Sequence, residues 1–293
     1  MLHYLVRFAK RLAVLLPGLA IAAVSIFNIY PLINEGTPAL VAFLLTYILA
    51  AYILIPAVGR VIRIFFKQKH LPVYSVTPDG YASDPVNVGI IGTREQLTQA
   101  MQKAGWDLAD DYTLPNMWRS VVSGLLHVPY HNAPMSGLYL FGRKQDIAFE
   151  IMMEDRWLHR HHVRFWATTF DDGKLELKSI HWFPRKHNKA LAADKTLLWL
   201  GAASKDVGLA LIKHNAQLTH MIHPDTDGER DLIIDQLQID GAKLTAELTV
   251  AKPYRLVNRA WSGYLQTDGR LRIVTLPKLP KSAVSTDTSD SDA

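Results

Sequence analysis

The sequence of 293 residues contains no cysteine. This absence excludes disulfide bonds, cysteine nucleophiles and thiolate-bound metal sites such as zinc ribbons and iron–sulfur clusters. Four widespread motifs are also missing: the phosphate-binding GxxxxGK[ST], the nucleophile elbow GxSxG, the zinc motif HExxH and the dinucleotide motif GxGxxG. The enzyme classes that depend on these motifs therefore have no support in the sequence.

Negative charge is scarce near the N-terminus. Residues 1–70 contain seven Lys/Arg and a single acidic residue, Glu35, whereas residues 71–293 contain 25 Lys/Arg and 26 Asp/Glu. The formal net charge of +5 therefore belongs to the N-terminal segment. Because a nucleic-acid interface needs positive charge concentrated on the folded domain, we predict no nucleic-acid partner.

Two long runs, residues 12–34 and 36–59, contain no charged residue, and only Glu35 separates them. A helix rises about 1.5 Å per residue, so about 20 residues cross a hydrocarbon layer of about 30 Å. Two such runs in succession argue against a buried core helix. With Gly36 and Pro38 in the connecting turn, the pattern predicts an antiparallel transmembrane hairpin whose partner is the lipid bilayer.

Positive residues flank this hairpin on both outer sides, and its turn has none. They are Arg7, Lys10 and Arg11 before the first run, and Arg60, Arg63, Lys67 and Lys69 after the second. The positive-inside rule then predicts that both termini and the soluble domain face the cytoplasm. The alternative is a cleaved secretory signal with an A-x-A site at Ala20–Ala22, but the apolar run continues well beyond that site.

The remaining sequence predicts an α+β domain with a mainly antiparallel sheet and about three helices. Residues 1–69 form the anchor, 70–84 a Pro- and Gly-rich linker, 85–276 the domain and 277–293 a disordered acidic tail. We expect helices after the Thr93–Gln96 capping box as far as Gly105, over 116–126 with Asn116 as cap, and over 227–237. We expect strands at 86–91, 138–141, 146–152, 161–169, 174–183, 197–203, 244–250 and 271–276.

The densest polar cluster lies at residues 157–166. If this segment is a strand, Arg160, His162, Arg164 and Trp166 share one face, while His161 lies on the other. A stripe of two arginines and a histidine suits a phosphate or carboxylate ligand. Two alternatives stay open: the cations pair with acids on a neighbouring strand, Glu150 among them, or the histidines bind a metal.

A second cluster occupies residues 219–231. Its imidazole and carboxylate groups predict a candidate divalent metal site formed by His161, His220, Asp225 and Asp227. The alternative is helix capping, because Thr226 followed by Glu229 matches a capping box and acidic residues favour a helix N-terminus.

Other polar candidates follow glycines or lie near turns. Arg143, after Gly142, is a further candidate for anion binding, although it can instead pair with Asp146. The remaining polar site candidates are Asp146, Asp206, Glu229 and Arg230.

Several segments together resemble the LssY-like C-terminal domain family. They are residues 85–91, 104–106, Tyr130 with 133–134, residues 140–146, 161–166, Gly201 with Asp206, and residues 220–231. The resemblance covers about half of the chain and implies a bacterial inner-membrane protein close to lipid or envelope chemistry. Related domains are attached to membrane enzymes of the phosphatidic-acid phosphatase type. This chain lacks that phosphatase motif, so the resemblance does not imply the phosphatase activity.

Three functional hypotheses follow. In the first, the anchored domain binds an anionic ligand, or an envelope protein partner, through Arg143, His162 and Arg164 at the membrane. In the second, it is a metal-dependent hydrolase of a phosphorylated or lipid-linked substrate, and the ion lowers the pKa of a bound water. In the third, it is a structural assembly protein whose polar clusters are core and capping groups.

Overall fold

A computed structural model describes residues 16–58, 71–126, 128–153, 156–171, 175–182, 195–212, 218–257 and 264–278. Helices α1 (Leu16–Asn34) and α2 (Ala39–Val58) have mean hydropathies of 1.8 and 2.3 and are long and apolar enough to cross a membrane. Ser25–Ile29 and Leu49–Leu54 within them are wound as π-helix. The flanking basic residues and nearly all of the predicted acidic tail lie outside the described residues.

The described part of the chain beyond residue 70 has three α-helices: α3 (Arg94–Lys103), α4 (Leu114–Leu126) and α5 (Asp227–Ile239). The predicted capping box of α3 is confirmed. The Thr93 hydroxyl accepts the backbone N–H of Gln96 at 3.1 Å, and the side-chain amide oxygen of Gln96 accepts the backbone N–H of Thr93 at 2.8 Å. Gly105 follows α3 with a φ of 86°, a conformation that suits glycine.

The other two predicted caps are wrong. Helix α4 begins two residues before Asn116, and the Thr113 hydroxyl accepts the Asn116 N–H at 3.4 Å. At α5, the Thr226 hydroxyl donates to the Gln266 carbonyl at 3.0 Å instead of capping the helix. Asp225 replaces it, because its Oδ1 accepts the N–H groups of Asp227 and Gly228 at 3.1 Å each.

Fifteen strands lie within the described residues. They are β1 (Tyr74–Val76), β2 (Ala82–Pro85), β3 (Val88–Gly92), β4 (Asp107–Leu108), β5 (Tyr139–Leu140), β6 (Arg143–Lys144), β7 (Ile147–Met153), β8 (Arg156–Phe170), β9 (Ile180–Trp182), β10 (Leu197–Leu211), β11 (Leu218–Ile222), β12 (Lys243–Thr249), β13 (Tyr254–Val257), β14 (Tyr264–Thr267) and β15 (Arg270–Thr275). A short 3₁₀ helix, Leu177–Ser179, occupies part of the predicted strand 174–183.

The large sheet has the order β12-β15-β3-β10-β8-β7-β4, with β11 beside β10 and β9 beside β8. A small sheet has the order β2-β1-β5-β6, and β13 pairs with β14. Among the described strands only β3 and β15 run parallel, so the predicted α+β fold with a mainly antiparallel sheet is confirmed. Strands β1 and β2 lie almost entirely within residues 70–84, the segment predicted as a linker. They belong to the small sheet, in which β1 pairs with β5.

The central strands of the large sheet are buried on both faces. Its first face packs against Leu97 and Met101 of α3 and Ile233 of α5. Its second face packs against the segment that contains β5, where Leu138 and Leu140 lie in the same apolar cluster as Trp166. Val163 and Phe165 belong to the first cluster and Trp166 to the second, which confirms the predicted alternation along β8.

Gly201 of β10 is required by the packing of these strands. A Cβ at this position would lie 2.6 Å from Cε1 of Phe165 and closer still to Cγ1 of Val88. We predict that Gly201→Ala lowers the free energy of unfolding by about 1–3 kcal/mol through overpacking. The measurement is urea denaturation of the full chain in detergent.

Gly137→Ala is the matched control. The three atoms nearest to a Cβ there all belong to the flexible side chain of Lys144, of which Cε is nearest at 3.0 Å. This substitution should change the free energy of unfolding by less than about 1 kcal/mol. Equal effects of the two substitutions would contradict the packing role of Gly201.

Candidate functional site

The second face of the large sheet carries a row of polar side chains near one end. Glu150 of β7 lies opposite His162 of β8, which lies opposite Ser204 of β10. Arg160 lies opposite Asp206 in the next row of this face. Since residues opposite each other on antiparallel strands share a face, the register alone brings these groups together.

Asp84 of β2 covers this row from the small sheet. Its Oδ2 accepts a hydrogen bond from Nη1 of Arg164 at 3.0 Å and lies 3.8 Å from Nε2 of His162. Burial alone would raise the pKa of the Asp84 carboxyl, but His162 and Arg164 outweigh burial, and the pKa lies below its ordinary value. Asp84 is therefore a buried carboxylate that remains charged.

Asp206 of β10 lies between two imidazoles. Its Oδ2 is 2.6 Å from Nδ1 of His220 and 3.6 Å from Nδ1 of His162. Burial opposes ionisation of Asp206, yet the two histidines lower the pKa of its carboxyl below the ordinary value. For His220, burial lowers the pKa, but the hydrogen bond with Asp206 and its charge raise it overall. The His220 side chain is 51% exposed, unlike its partner.

Glu150 and Arg160 form the third pair. Nη1 of Arg160 donates to both carboxylate oxygens of Glu150, at 2.9 and 3.0 Å. Burial raises the pKa of Glu150 to about 7, against the opposing effect of Arg160. Glu150 therefore changes its charge near neutral pH, whereas Asp84 and Asp206 do not.

These pairs surround an open cavity of about 320 Å³. Tyr112, Met135, Leu138 and Ile222 supply an apolar part of its wall. The acidic, guanidinium and imidazole side chains that line it are Asp84, Glu150, Arg160, His162, Arg164, Asp206 and His220. The cavity is thus polar on its sheet side, and its cations are held in place by buried carboxylates.

Ser204 resembles a nucleophile by its contacts but not by its position. Its Oγ lies 2.7 Å from Nε2 of His162, whose Nδ1 is near Asp206. However, Ser204 is 0% exposed and is not part of the cavity wall. Its hydroxyl therefore orients the His162 ring rather than meeting a ligand.

Arg143 lies outside this cavity, contrary to the prediction that it shares an anion site with Arg164. Its Nη1 donates to both oxygens of Asp146 at 2.5 Å, and its Nη2 donates to the Ala167 carbonyl. Asp146 in turn accepts the Ala167 N–H at 2.7 Å. Arg143 and Asp146 thus join β6 and the residues that follow it to β8, and Arg143 pairs with Asp146 as the alternative predicted.

Glu229 and Arg230 of α5 also have structural partners. Nδ1 of His161 lies 2.6 Å from Oε2 of Glu229, on the helix-covered first face of the sheet. The guanidinium of Arg230 contacts the carboxylates of Asp227, Asp231 and Asp268. Burial opposes the charge of Arg230, but hydrogen bonds to Asp231 and Asp268 raise its pKa overall. These contacts fix α5 to the β14–β15 turn.

The four residues predicted to bind a metal do not form one site. His161 pairs with Glu229 on the first face, whereas His220 pairs with Asp206 in the cavity. Asp225 caps α5, and Asp227 accepts the Asp268 N–H and the Thr267 hydroxyl. Within the described ranges, no group of three or more His, Asp or Glu side chains is arranged to hold a metal ion.

Two side chains of the site, those of Asp84 and Ser204, are not predicted by the sequence patterns. Asp84 was assigned to the linker, and nothing in its local sequence places it over a strand that is 80 residues away. Ser204 lies in a run of small residues with no polar pattern. Its distance of two residues from Asp206 was the available signal, since both then lie on the same face of a strand.

The fold and the cavity define a class: an α+β domain with a charged cavity, preceded by two helices that fit a membrane anchor. Within this class the protein belongs to the LssY C-terminus family, whose model matches residues 68–271. This match confirms the resemblance, and it contains every ionisable residue of the cavity wall. No curated protein and no solved structure matches the chain.

The buried pair of Asp84 and Arg164 can be tested by substitution. We predict that Asp84→Asn lowers the free energy of unfolding by about 3–5 kcal/mol, because Arg164 is left buried without its counter-ion. Chemical denaturation of the full chain in detergent measures this loss. Asp171→Asn is the control: Asp171 pairs with His181 at the surface, where its side chain is 69% exposed. That change should cost less than about 1 kcal/mol, and similar losses for both would contradict the prediction.

Proposed function

We propose that this protein binds a small anionic ligand, such as a phosphate or carboxylate group, in the cavity formed by Arg160, Arg164 and His220. The observation that carries the proposal is that two guanidinium groups and a half-exposed imidazole line one cavity. Such groups are the usual partners of phosphate and carboxylate in proteins.

The positions of these donors support the proposal. Arg164 is fixed by two hydrogen bonds, from Nη1 to Asp84 and from Nε to the Ser136 carbonyl at 3.3 Å. Among the described residues, neither its Nη2 nor Nε2 of His220 has a hydrogen-bond partner. A ligand that accepts hydrogen bonds from both would need no rearrangement of the cavity wall, which reduces the cost of binding.

The proposal includes a location. The two helices that are long and apolar enough to cross a membrane support a position of the domain at a membrane, which we take to be the inner membrane of a bacterium. The positive residues on the outer flanks of the hairpin support a cytoplasmic position for both termini and for the cavity. The ligand would then be a cytoplasmic anion or the headgroup of a lipid in the inner leaflet.

The proposal predicts that binding depends on pH. Glu150 loses its proton near pH 7, and the resulting carboxylate competes with a ligand for Arg160. His220 has a raised pKa, held up against the effect of burial by its hydrogen bond to Asp206 and by the charge of that carboxylate, and its positive charge can only decrease as the pH rises. Both changes make the net charge of the cavity less positive as the pH rises. Affinity for inorganic phosphate should therefore fall from about pH 6 to about pH 8, which isothermal titration calorimetry of the full chain in detergent measures. Affinity that is constant, or that rises after correction for the charge of phosphate, would contradict this.

His220→Asn tests the ligand contact directly. An asparagine amide retains a donor at the position of Nδ1 for Asp206 but removes Nε2 and the positive charge. Loss of one charge-assisted hydrogen bond of about 1.5–3 kcal/mol should weaken phosphate binding roughly 10- to 100-fold. His181→Asn is the matched control, because His181 is also half-exposed and also pairs with a carboxylate, that of Asp171, but lies outside the cavity. Absence of phosphate binding by the unmodified protein, or equal affinities of the two variants, would refute the proposal.

A second candidate function is hydrolysis of a phosphorylated or lipid-linked substrate. The observation that favours it is the hydrogen bond between His220 and Asp206, because a histidine oriented by a buried carboxylate is a common general acid. In this step a water molecule would attack the phosphorus of a bound phosphomonoester and release a proton to solvent. The bond from phosphorus to the leaving oxygen would break as the protonated His220 donates a proton to that oxygen. Phosphate release from glycerol 3-phosphate, whose alkoxide leaving group needs a proton, would support this function if His220→Asn lowers the rate about 10²–10⁴-fold. Binding without release would leave only the first function.

A further inference from the structure

Helix α4 exposes a continuous apolar face. Leu114, Trp118 and Val121 are 80%, 69% and 52% exposed. Their spacing of four and three residues places them on one side of the helix. Leu126 and Val128 extend the exposed apolar surface at its C-terminal end. A contiguous apolar surface of this kind on a folded domain indicates a contact with a protein or a membrane.

The face is presented by a helix that is fixed to the domain. Arg119 lies over the ring of Tyr130, 4.3 Å from its centroid, and the Tyr130 hydroxyl donates to Asp110 at 2.5 Å. The Ser123 hydroxyl is buried and donates to the Val128 carbonyl. The exposed apolar side chains therefore belong to an ordered helix, with its polar contacts directed towards the domain.

The charge of α4 suits a lipid surface. Its sequence contains no acidic residue, and its single charged residue is Arg119. An anionic headgroup layer would thus meet no carboxylate within the helix. Trp118, at the centre of the apolar face, is the residue type that prefers the boundary between headgroups and acyl chains.

The chain itself keeps this helix close to a membrane. Helix α2 ends at Val58, and the described part of the domain begins at Leu71. At about 3.5 Å per residue, the interval between them spans at most about 45 Å even when fully extended. A bilayer that holds α1 and α2 is therefore always within reach of the domain, whereas a second copy would have to meet it by diffusion.

We infer that α4 lies on the surface of the bilayer that α1 and α2 cross, with Leu114, Trp118 and Val121 inserted among the lipid headgroups and upper acyl chains. The inference rests on the membrane anchor and is independent of the anion proposal. The contact holds the soluble domain in one orientation, because a rigid helix and a tether together restrict its rotation.

The absence of cysteine allows a direct test with the full chain in proteoliposomes. Val121→Cys, labelled with an environment-sensitive nitrobenzoxadiazole dye, reports on the apolar face. Gln102→Cys, at an exposed position near the end of α3, is the matched control. The emission of dye at residue 121 should be blue-shifted relative to that of dye at residue 102. Spin-labelled lipids should also quench it at least about twofold more strongly than dye at residue 102. Equal quenching at both positions overturns the inference.

A second variant separates lipid contact from contact between copies. Trp118→Glu, added to the labelled Val121→Cys protein, should reduce lipid quenching to the level of the control, because a carboxylate opposes insertion among headgroups. Its unfolding transition should stay unchanged, since Trp118 is largely exposed. A blue shift without lipid quenching, or one that disappears as protein is diluted in lipid, shows that a second copy covers the face and overturns the inference.

Discussion

The ionised carboxylate of Asp84 is the constraint on which the second face of the large sheet depends. A charge that is removed from water has to be compensated, and Arg164 and His162 compensate this one from the neighbouring layer. The same contact determines how the small sheet sits on the large one, because Asp84 is at the end of β2 and Arg164 is on β8. Packing of the two sheets and alignment of the cavity cations are therefore one interaction, and neither can change without the other.

Local sequence patterns are sufficient to predict much of the fold. Long charge-free runs identify α1 and α2, and the reciprocal bonds of Thr93 and Gln96 start α3, because these features depend only on neighbouring residues. Alternation along β8 correctly separated His161 from His162, since a strand has a fixed period of two. Seven short strands do not follow from the sequence patterns: β1, β2, β4, β6, β11, β13 and β14. Their residues have little pattern of their own, and tertiary pairing makes them strands.

Only part of the candidate site could be predicted from the sequence. Arg160, His162 and Arg164 follow from one strand, but their partners come from β2, β7, β10 and β11. The register between distant strands decides which acid meets which base, and a single sequence does not contain that register. The same limitation explains why His161 and His220 were placed in one metal site: each is near carboxylates, yet the two lie on opposite faces of the sheet.

The one parallel pairing among the described strands has a consequence for biogenesis. Val88 of β3 lies beside Arg272 of β15, so the first strand of the large sheet is completed by the last. About 180 residues separate them, and a ribosome that adds about 5–20 residues per second needs on the order of ten seconds to synthesise this interval. During that time the anchor has already emerged while one edge of β3 still lacks its partner. A nascent chain of this protein therefore offers an open strand edge beside the membrane, which is the type of surface that chaperones protect.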